Sequence, residues 1–412
     1  MLLGIFSDTH LGFSSGIDDR FDESFSRFCE ALSIFKSRKV DFILHAGDLF
    51  DEAVPSQEVW KRAFECFSHN NGSLTEVTKH QLSGESMVHV KGVPIIAIHG
   101  THEFRGKDFT NAISVLEEAN CLVYLHAGFV LLEKEHNDAG AGKGVDQVFV
   151  FGLGGVPEKH AKEVLEKFNP KPFSGAKNIL LLHQSFKEFL PFDEDDSIAS
   201  LSLSDLPNDF DLIIDGHLHW GNEQELEGKR FLLSGSTIFT QMKKLEGEKE
   251  KGVFLFDTET SSLEFVPFKF QRKLFYEKFS FKNASPDEVM FAVNNKIKEI
   301  SSQSYELKPL VRFKLTGTLA KGFSQSDVSF NLPDCAIFSV SKEFSVENFE
   351  KKISDLKQMQ AEKKSVIDFG VEILEKNVFE AGLKEFDTRR MFDLLSIGEN
   401  EKAESVLLSE AK

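Results

Sequence analysis

Residues 212–219, Leu-Ile-Ile-Asp-Gly-His-Leu-His, decide how this chain is read. An apolar run suited to a buried inner strand ends in two imidazoles one residue apart, at Gly216-His217-Leu218-His219. Imidazoles at such a turn are placed to hold a metal. Four other stretches repeat the design. Residues 2–6 lead to Asp8-Thr9-His10, residues 42–44 to Gly47-Asp48, residues 95–98 to Gly100-Thr101-His102-Glu103, and residues 179–182 to His183. Together they predict one site in which two metal ions act on a phosphodiester.

The remaining pattern supplies the scaffold. Phe25, Phe28, Cys29, Leu32 and Phe35 recur at helical spacing, predicting an amphipathic helix over 24–36 between the first two strands, a βαβ unit. Helices are also expected over 57–67, 108–119 and 158–168. Residues 69–92 are polar and turn-rich and read as a surface excursion. Stretches 129–132 and 147–153 flank a glycine-rich turn at 137–144 and predict a hairpin that enters a second sheet. The acidic run 193–196 reads as a solvated loop.

At 412 residues the chain exceeds one ordinary core of ~250 to 300 residues and predicts more than one domain. The boundaries fall at 1–265, 266–345 and 346–412. Net charge is −18, which argues against coating nucleic acid by bulk electrostatics. Between residues 268 and 321, however, eleven Lys and Arg face five Asp and Glu. That stretch reads as a small α+β module with a phosphate-facing surface, over strand 274–281, helix 286–300 and strand 310–315. Beyond residue 346 the composition predicts helices at 349–360 and 388–408. The scattered Cys29, Cys66, Cys121 and Cys335 read as reduced residues of a cytoplasmic protein. The N-terminus reads as a first strand, not a signal peptide, and no run has the ~18 apolar residues of a membrane helix.

Phosphodiester hydrolysis at neutral pH needs a nucleophile stronger than water and positive charge on the non-bridging oxygens, and two divalent ions supply both. The order D-x-H, G-D, G-x-H-E, H, G-H-x-H, each motif behind an apolar strand, resembles the calcineurin-like metallophosphoesterase superfamily. Asp8-Thr9-His10-Leu11-Gly12, Gly47-Asp48-Leu49-Phe50 and the C-terminal additions are similar to DNA double-strand-break repair nucleases of the SbcD or meiotic recombination eleven type.

That resemblance implies an α/β fold: a two-sheet sandwich flanked by helices, with a DNA-capping α+β domain and a helical segment for a coiled-coil ABC-type ATPase. It implies a homodimer through the helices at 57–67 and 108–119, located in the cytoplasm with the nucleoid and with no membrane partner. The mixed His and carboxylate donors suit Mn²⁺, Fe or Zn²⁺, and the resemblance implies two ions, taken as Mn²⁺. Asp8, His10 and His219 would hold one ion. Asp48 would bridge to a second held by His183 and His217, with His102 beside the scissile phosphate.

Two positions depart from the family. Thr101 stands where an Asn normally completes the second ion's shell, and Asp51 stands where several members carry a phosphate-handling His. A carboxylate there repels a phosphate unless it faces a metal or a base. Glu103 reads as a support, and His45, His99 and His126 as core or supporting residues. Two alternatives stay open: a small-molecule phosphodiesterase or phosphatase on the same core, and a weakly catalytic scaffold that holds DNA or the ATPase.

Overall fold

Side chains of the apolar strands alternate between two cores, so both faces are lined mainly by apolar residues. The computed structural model describes residues 1–13, 18–81, 84–106, 109–138, 142–190, 201–345, 371, 375 and 388–396. The six-stranded sheet is ordered β14-β13-β1-β2-β5-β6, from β1 (Leu2–Phe6), β2 (Phe42–Ala46), β5 (Ile95–Ile98), β6 (Val123–Tyr124), β13 (Gly252–Asp257) and β14 (Ser262–Pro267). The eight-stranded sheet is ordered β11-β12-β10-β9-β8-β7-β3-β4. Its strands are β3 (Leu74–Gln81), β4 (Gly84–Lys91), β7 (Gly128–Asp138), β8 (Gly142–Gly152), β9 (Lys177–Leu182), β10 (Leu212–Asp215), β11 (Asn222–Leu226) and β12 (Lys229–Leu233).

Leu3, Ile5, Leu44, Ala46, Ile96 and Ile98 of the first sheet pack with Ile179, Leu181, Leu212 and Ile214 of the second. The alternate residues Phe6, Ile43, Ile95 and Ala97 face helices instead. Their partners include Phe28 and Phe35 of α1 (Asp18–Arg38), Ala63 of α2 (Gln57–Phe67) and Ile113 of α3 (Ala112–Glu118). Leu180, Leu182 and Ile213 pack outward with Ala161 and Leu165 of α4 (Glu158–Phe168). The result is the expected α/β sandwich, with helices on both outer faces.

Strands β1, β2 and β5 run parallel, as do β9 and β10. Parallel pairing brings the C-terminal ends of neighbouring strands to one edge, so the polar clusters that follow β1, β2 and β5 emerge together. Those that follow β9 and β10 do the same in the second sheet.

The surface excursion expected at 69–92 is corrected by the structure. Strands β3 and β4 form a hairpin that extends the second sheet through β3 pairing with β7. Only Val77, Val88 and Val90 supply a buried apolar side chain, so the period-two signal is sparse. Lys79 is also buried and pairs with Glu117 at 2.6 Å, a polar contact that disguises an inward position. The third helix starts at Ala112, not at residue 108, because Asn111 caps it by accepting from the Ser114 amide at 2.9 Å.

The remaining strands β15 (Leu274–Ala284), β16 (Leu310–Leu319) and β17 (Ile337–Ser345) form a third sheet in that order, accompanied by α6 (Pro286–Ser301). A short helix, α5 (Lys244–Gly247), precedes β13. The chain divides into two compact units: Met1–Lys278 with Asn295–Lys314 and Asn331–Ser341, and Phe279–Asn294 with Leu315–Phe330 and the described residues from Lys342 onward. Within the second unit, Thr316 donates to the Phe279 carbonyl at 3.1 Å and Gln325 to the Phe344 carbonyl at 3.1 Å. Helix α7 (Thr388–Ser396) occupies the start of the segment expected at 388–408. The helix expected at 349–360 and the acidic run at 193–196 lie outside the described residues. Among the described residues, no helix is long and apolar enough to cross a membrane.

The packing of β1 on α1 yields a test. A Cβ at Gly4 would lie 2.5 Å from the Phe35 ring, which is itself fully buried. Gly4→Ala is expected to destabilise the protein by about 1–3 kcal/mol through overpacking, read from a guanidinium unfolding midpoint. An unchanged midpoint contradicts this packing.

Candidate metal centre

Three of the five loops reach the site through unusual backbone. Asp8, His10, Asp48 and His217 have φ of 48°, 44°, 51° and 70°, in the left-handed region. Each such non-glycine residue costs about 1–3 kcal/mol and persists only where its surroundings over-determine it. Here the loops after β1 and β2 are tied together, Asp8 N to Gly47 O at 2.9 Å, His10 N to Asp48 O at 3.1 Å and Leu11 N to Leu49 O at 2.8 Å. Gly100 has no room for a side chain, since a Cβ there would overlap the Asp48 carboxylate.

Each carboxylate is fixed by an amide from another loop. Asp8 Oδ1 accepts from His217 N at 3.0 Å, and Asp48 Oδ1 accepts from His102 N at 2.8 Å. The remaining donor atoms gather into three groups, each within 4.8 Å: Asp8, His10 and His219; His10, Asp48 and His102; and Asp48, His183 and His217. All seven predicted Asp and His residues therefore meet, and His10 and Asp48 each belong to two groups. Thr101 lies half-buried on the same loop as His102, and its hydroxyl makes no hydrogen bond among the described residues.

The donor set fits a cation. His183 Nδ1 lies 2.7 Å from the Ala46 carbonyl, to which it can only donate, so the neutral ring carries its lone pair on Nε2. That buried Nε2 has no hydrogen-bond partner and stands 3.1 Å from Asp48 Oδ2, a charge contact outside hydrogen-bond geometry. His10 Nε2 and His219 Nε2 face each other at 3.2 Å, while the opposite nitrogens are engaged by Asp51 at 3.1 Å and by the Thr240 hydroxyl. One ring can donate to the other across that contact, and once both Nε2 atoms are unprotonated the pair offers two lone pairs to a cation. Outer hydrogen bonds of this kind orient metal-binding histidines.

Charge couples the cluster. Burial, joined by the charge of Asp48, raises the Asp8 carboxyl to about 6 against the pull of His183. Burial disfavours charge on His183, yet Asp48 beside it lifts the imidazole to about 10. Burial lowers His217 to about 4, with His183 adding repulsion. The groups settle one another by sharing protons, a role that divalent ions fill equally well.

Several supports escaped the sequence. Lys251, fully buried, donates to the His219 carbonyl at 2.7 Å, to Ser236 at 2.7 Å and to Glu246 at 3.0 Å, holding the His219 loop from below. Glu246 in turn accepts the Thr240 amide at 3.0 Å. Nothing local in the sequence marks these residues, because their partners lie on distant segments. Glu103 acts as the support it was read to be, accepting from Phe50 N at 2.6 Å and Gly100 N at 2.7 Å. His45 and His99 are buried, and His126 accepts the Gly154 amide at 3.1 Å.

The family model for calcineurin-like phosphoesterases matches residues 1–221, more than half of the chain and all five loops. The chain belongs to that family. Among curated phosphoesterase relatives, the DNA double-strand break repair protein Mre11 of Sulfurisphaera tokodaii is 29% identical over 260 residues, covering 61% of this chain and 58% of that protein. The Mre11 of Thermoplasma acidophilum is 23% identical over 370 residues, covering 86% and 87% respectively. The chain thus spans little more than half the length of the first relative and most of the second. The calcineurin-like phosphoesterase YfkN of Bacillus subtilis aligns over 65% of this chain and 88% of its own, with 14% identity and a TM-score of 0.35.

Removing one member of the buried pair under the His219 loop gives the second test. Lys251→Met leaves Glu246 without its cation, so a loss of about 3–5 kcal/mol is expected in chemical denaturation. A loss below ~1 kcal/mol, the range of an exposed pair, contradicts the buried network.

Proposed function

We propose that this phosphoesterase is a Mn²⁺-dependent DNA nuclease, an exonuclease and endonuclease that processes double-strand breaks. The observation that carries the reading is the run of three adjoining ligand groups, in which His10 links Asp8 and His219 to Asp48, and Asp48 links His10 and His102 to His183 and His217. The name shared by the two relatives, DNA double-strand break repair protein Mre11, supports the substrate.

In this assignment Asp8, His10 and His219 hold one ion, and His183, His217 and Thr101 hold the other, with Asp48 between them. The ions supply a nucleophile at neutral pH and neutralise charge on the phosphate. Mixed nitrogen and oxygen donors suit Mn²⁺. His102, with a side chain 43% exposed, reaches the open side, where it stabilises charge or gives a proton to the departing sugar oxygen.

The module at 266–345 would face the DNA backbone with its excess of lysine and arginine. The segment 346–412 would bind a coiled-coil ABC-type ATPase. Phe64 on α2 and Val115 on α3, 39% and 40% exposed, would join two copies as a homodimer within the cell.

End-labelled DNA tests the proposal. Wild type is expected to carry two Mn²⁺ per chain by elemental analysis and to cleave only when loaded. Asp48→Ala abolishes cleavage, whereas His102→Ala keeps the metal and lowers the rate by ~10²–10³. Thr101→Asn tightens the second ion. Intact DNA alongside hydrolysis of a small phosphodiester overturns the nuclease assignment.

A further inference from the structure

This inference rests on the two-metal reading and deepens it at one residue. We propose that Asp51 is a positioning residue, whose carboxylate aligns His10 as a metal ligand and whose backbone carbonyl aligns His102.

The residue is anchored by its own amide, which donates to the Leu11 carbonyl at 3.2 Å, so it is fixed to the loop that carries His10. Its Oδ1 lies 3.1 Å from His10 Nδ1. An ionised carboxylate can only accept, which places the proton of a neutral His10 on Nδ1 and turns a lone pair at Nε2 toward the ligand group. His219 lacks such a dictating partner, because the Thr240 hydroxyl at its Nδ1 can donate or accept. The carboxylate therefore settles what His219 leaves open.

A second contact extends the role. His102 Nδ1 lies 2.6 Å from the Asp51 backbone oxygen, also an obligate acceptor, and 3.8 Å from Oδ1. The rings of His10 and His102 stand nearly perpendicular at 4.7 Å. One residue thus orients a ligand and the neighbouring group, by two different atoms. The carboxylate that would repel a phosphate spends its charge on the imidazoles. Replacing the side chain removes the His10 contact and leaves the backbone contact to His102 in place, and a side chain 23% exposed can be replaced without opening a core.

Isothermal titration of Mn²⁺ into metal-free full-length protein tests this. Compared with wild type, Asp51→Ala is expected to weaken one of the two Mn²⁺ sites by ~10–100-fold, the usual effect of losing a ligand's outer partner. Asp51→Asn should recover part of the loss, since its amide oxygen still accepts from Nδ1 without the charge. Thermal melts of the metal-free variants establish that they fold, and if Asp51→Ala does not, Asp51→Asn decides by the same criterion. Wild-type affinity in the folded variants overturns the role of Asp51 alone. A wild type that binds no Mn²⁺ overturns the two-metal reading and this inference with it.

Discussion

Two carboxylates from the six-stranded sheet are stitched to loops of the eight-stranded sheet, and the site depends on that stitching. Asp8, after β1, accepts the amide of His217 at 3.0 Å, after β10. Asp48, after β2, makes a 3.1 Å charge contact with the ring of His183, after β9, and that ring donates from Nδ1 to the Ala46 carbonyl of β2 at 2.7 Å. Apolar packing between the sheets sets their separation but has no direction of its own. The directional bonds are made at the rim, so the metal centre and the registration of the sandwich share the same atoms.

This arrangement is costly in isolation and stable only as a set. Four residues hold left-handed backbone, and the buried acids and imidazoles lose hydration. Compensation comes from groups that accept or donate in pairs: Glu103 takes two amides, and Lys251 serves the His219 carbonyl, Ser236 and Glu246 together. Because each support contacts more than one loop, a change at one ligand is felt at the others. Additivity of mutations within the cluster is therefore not expected.

The five loops were legible because each follows a run of three or more apolar residues, and such runs suit inner strands covered on both faces. The candidate ligands could be named from their places behind those strands together with the resemblance to a known family. Apart from Glu103, their supports could not. Asp51 precedes His102 by 51 residues and Thr240 follows His219 by 21, so neither pairing leaves a local pattern. Asp51 stood out only as a misfit, and its geometry turns the misfit into a partner for two imidazoles. The β3–β4 hairpin failed for another reason: the inward position filled by Lys79 is polar, and alternation read from hydrophobicity alone misses a buried lysine paired with Glu117.

The two halves of the centre are not equivalent, and this follows from what lies behind each ligand. In the group of Asp8, His10 and His219 all three residues are buried, and both imidazoles are braced from outside by Asp51 and Thr240. In the group of Asp48, His183 and His217, His183 is braced by the Ala46 carbonyl, but the His217 side chain is 27% exposed and its Nε2 lies 4.0 Å from Glu158, beyond hydrogen-bond reach. On the proposed assignment Thr101 adds a neutral hydroxyl to that same side. Ligand preorganisation decides how much ordering must accompany ion capture. On that assignment the braced side would retain its ion, and exchange with solvent would run through His217.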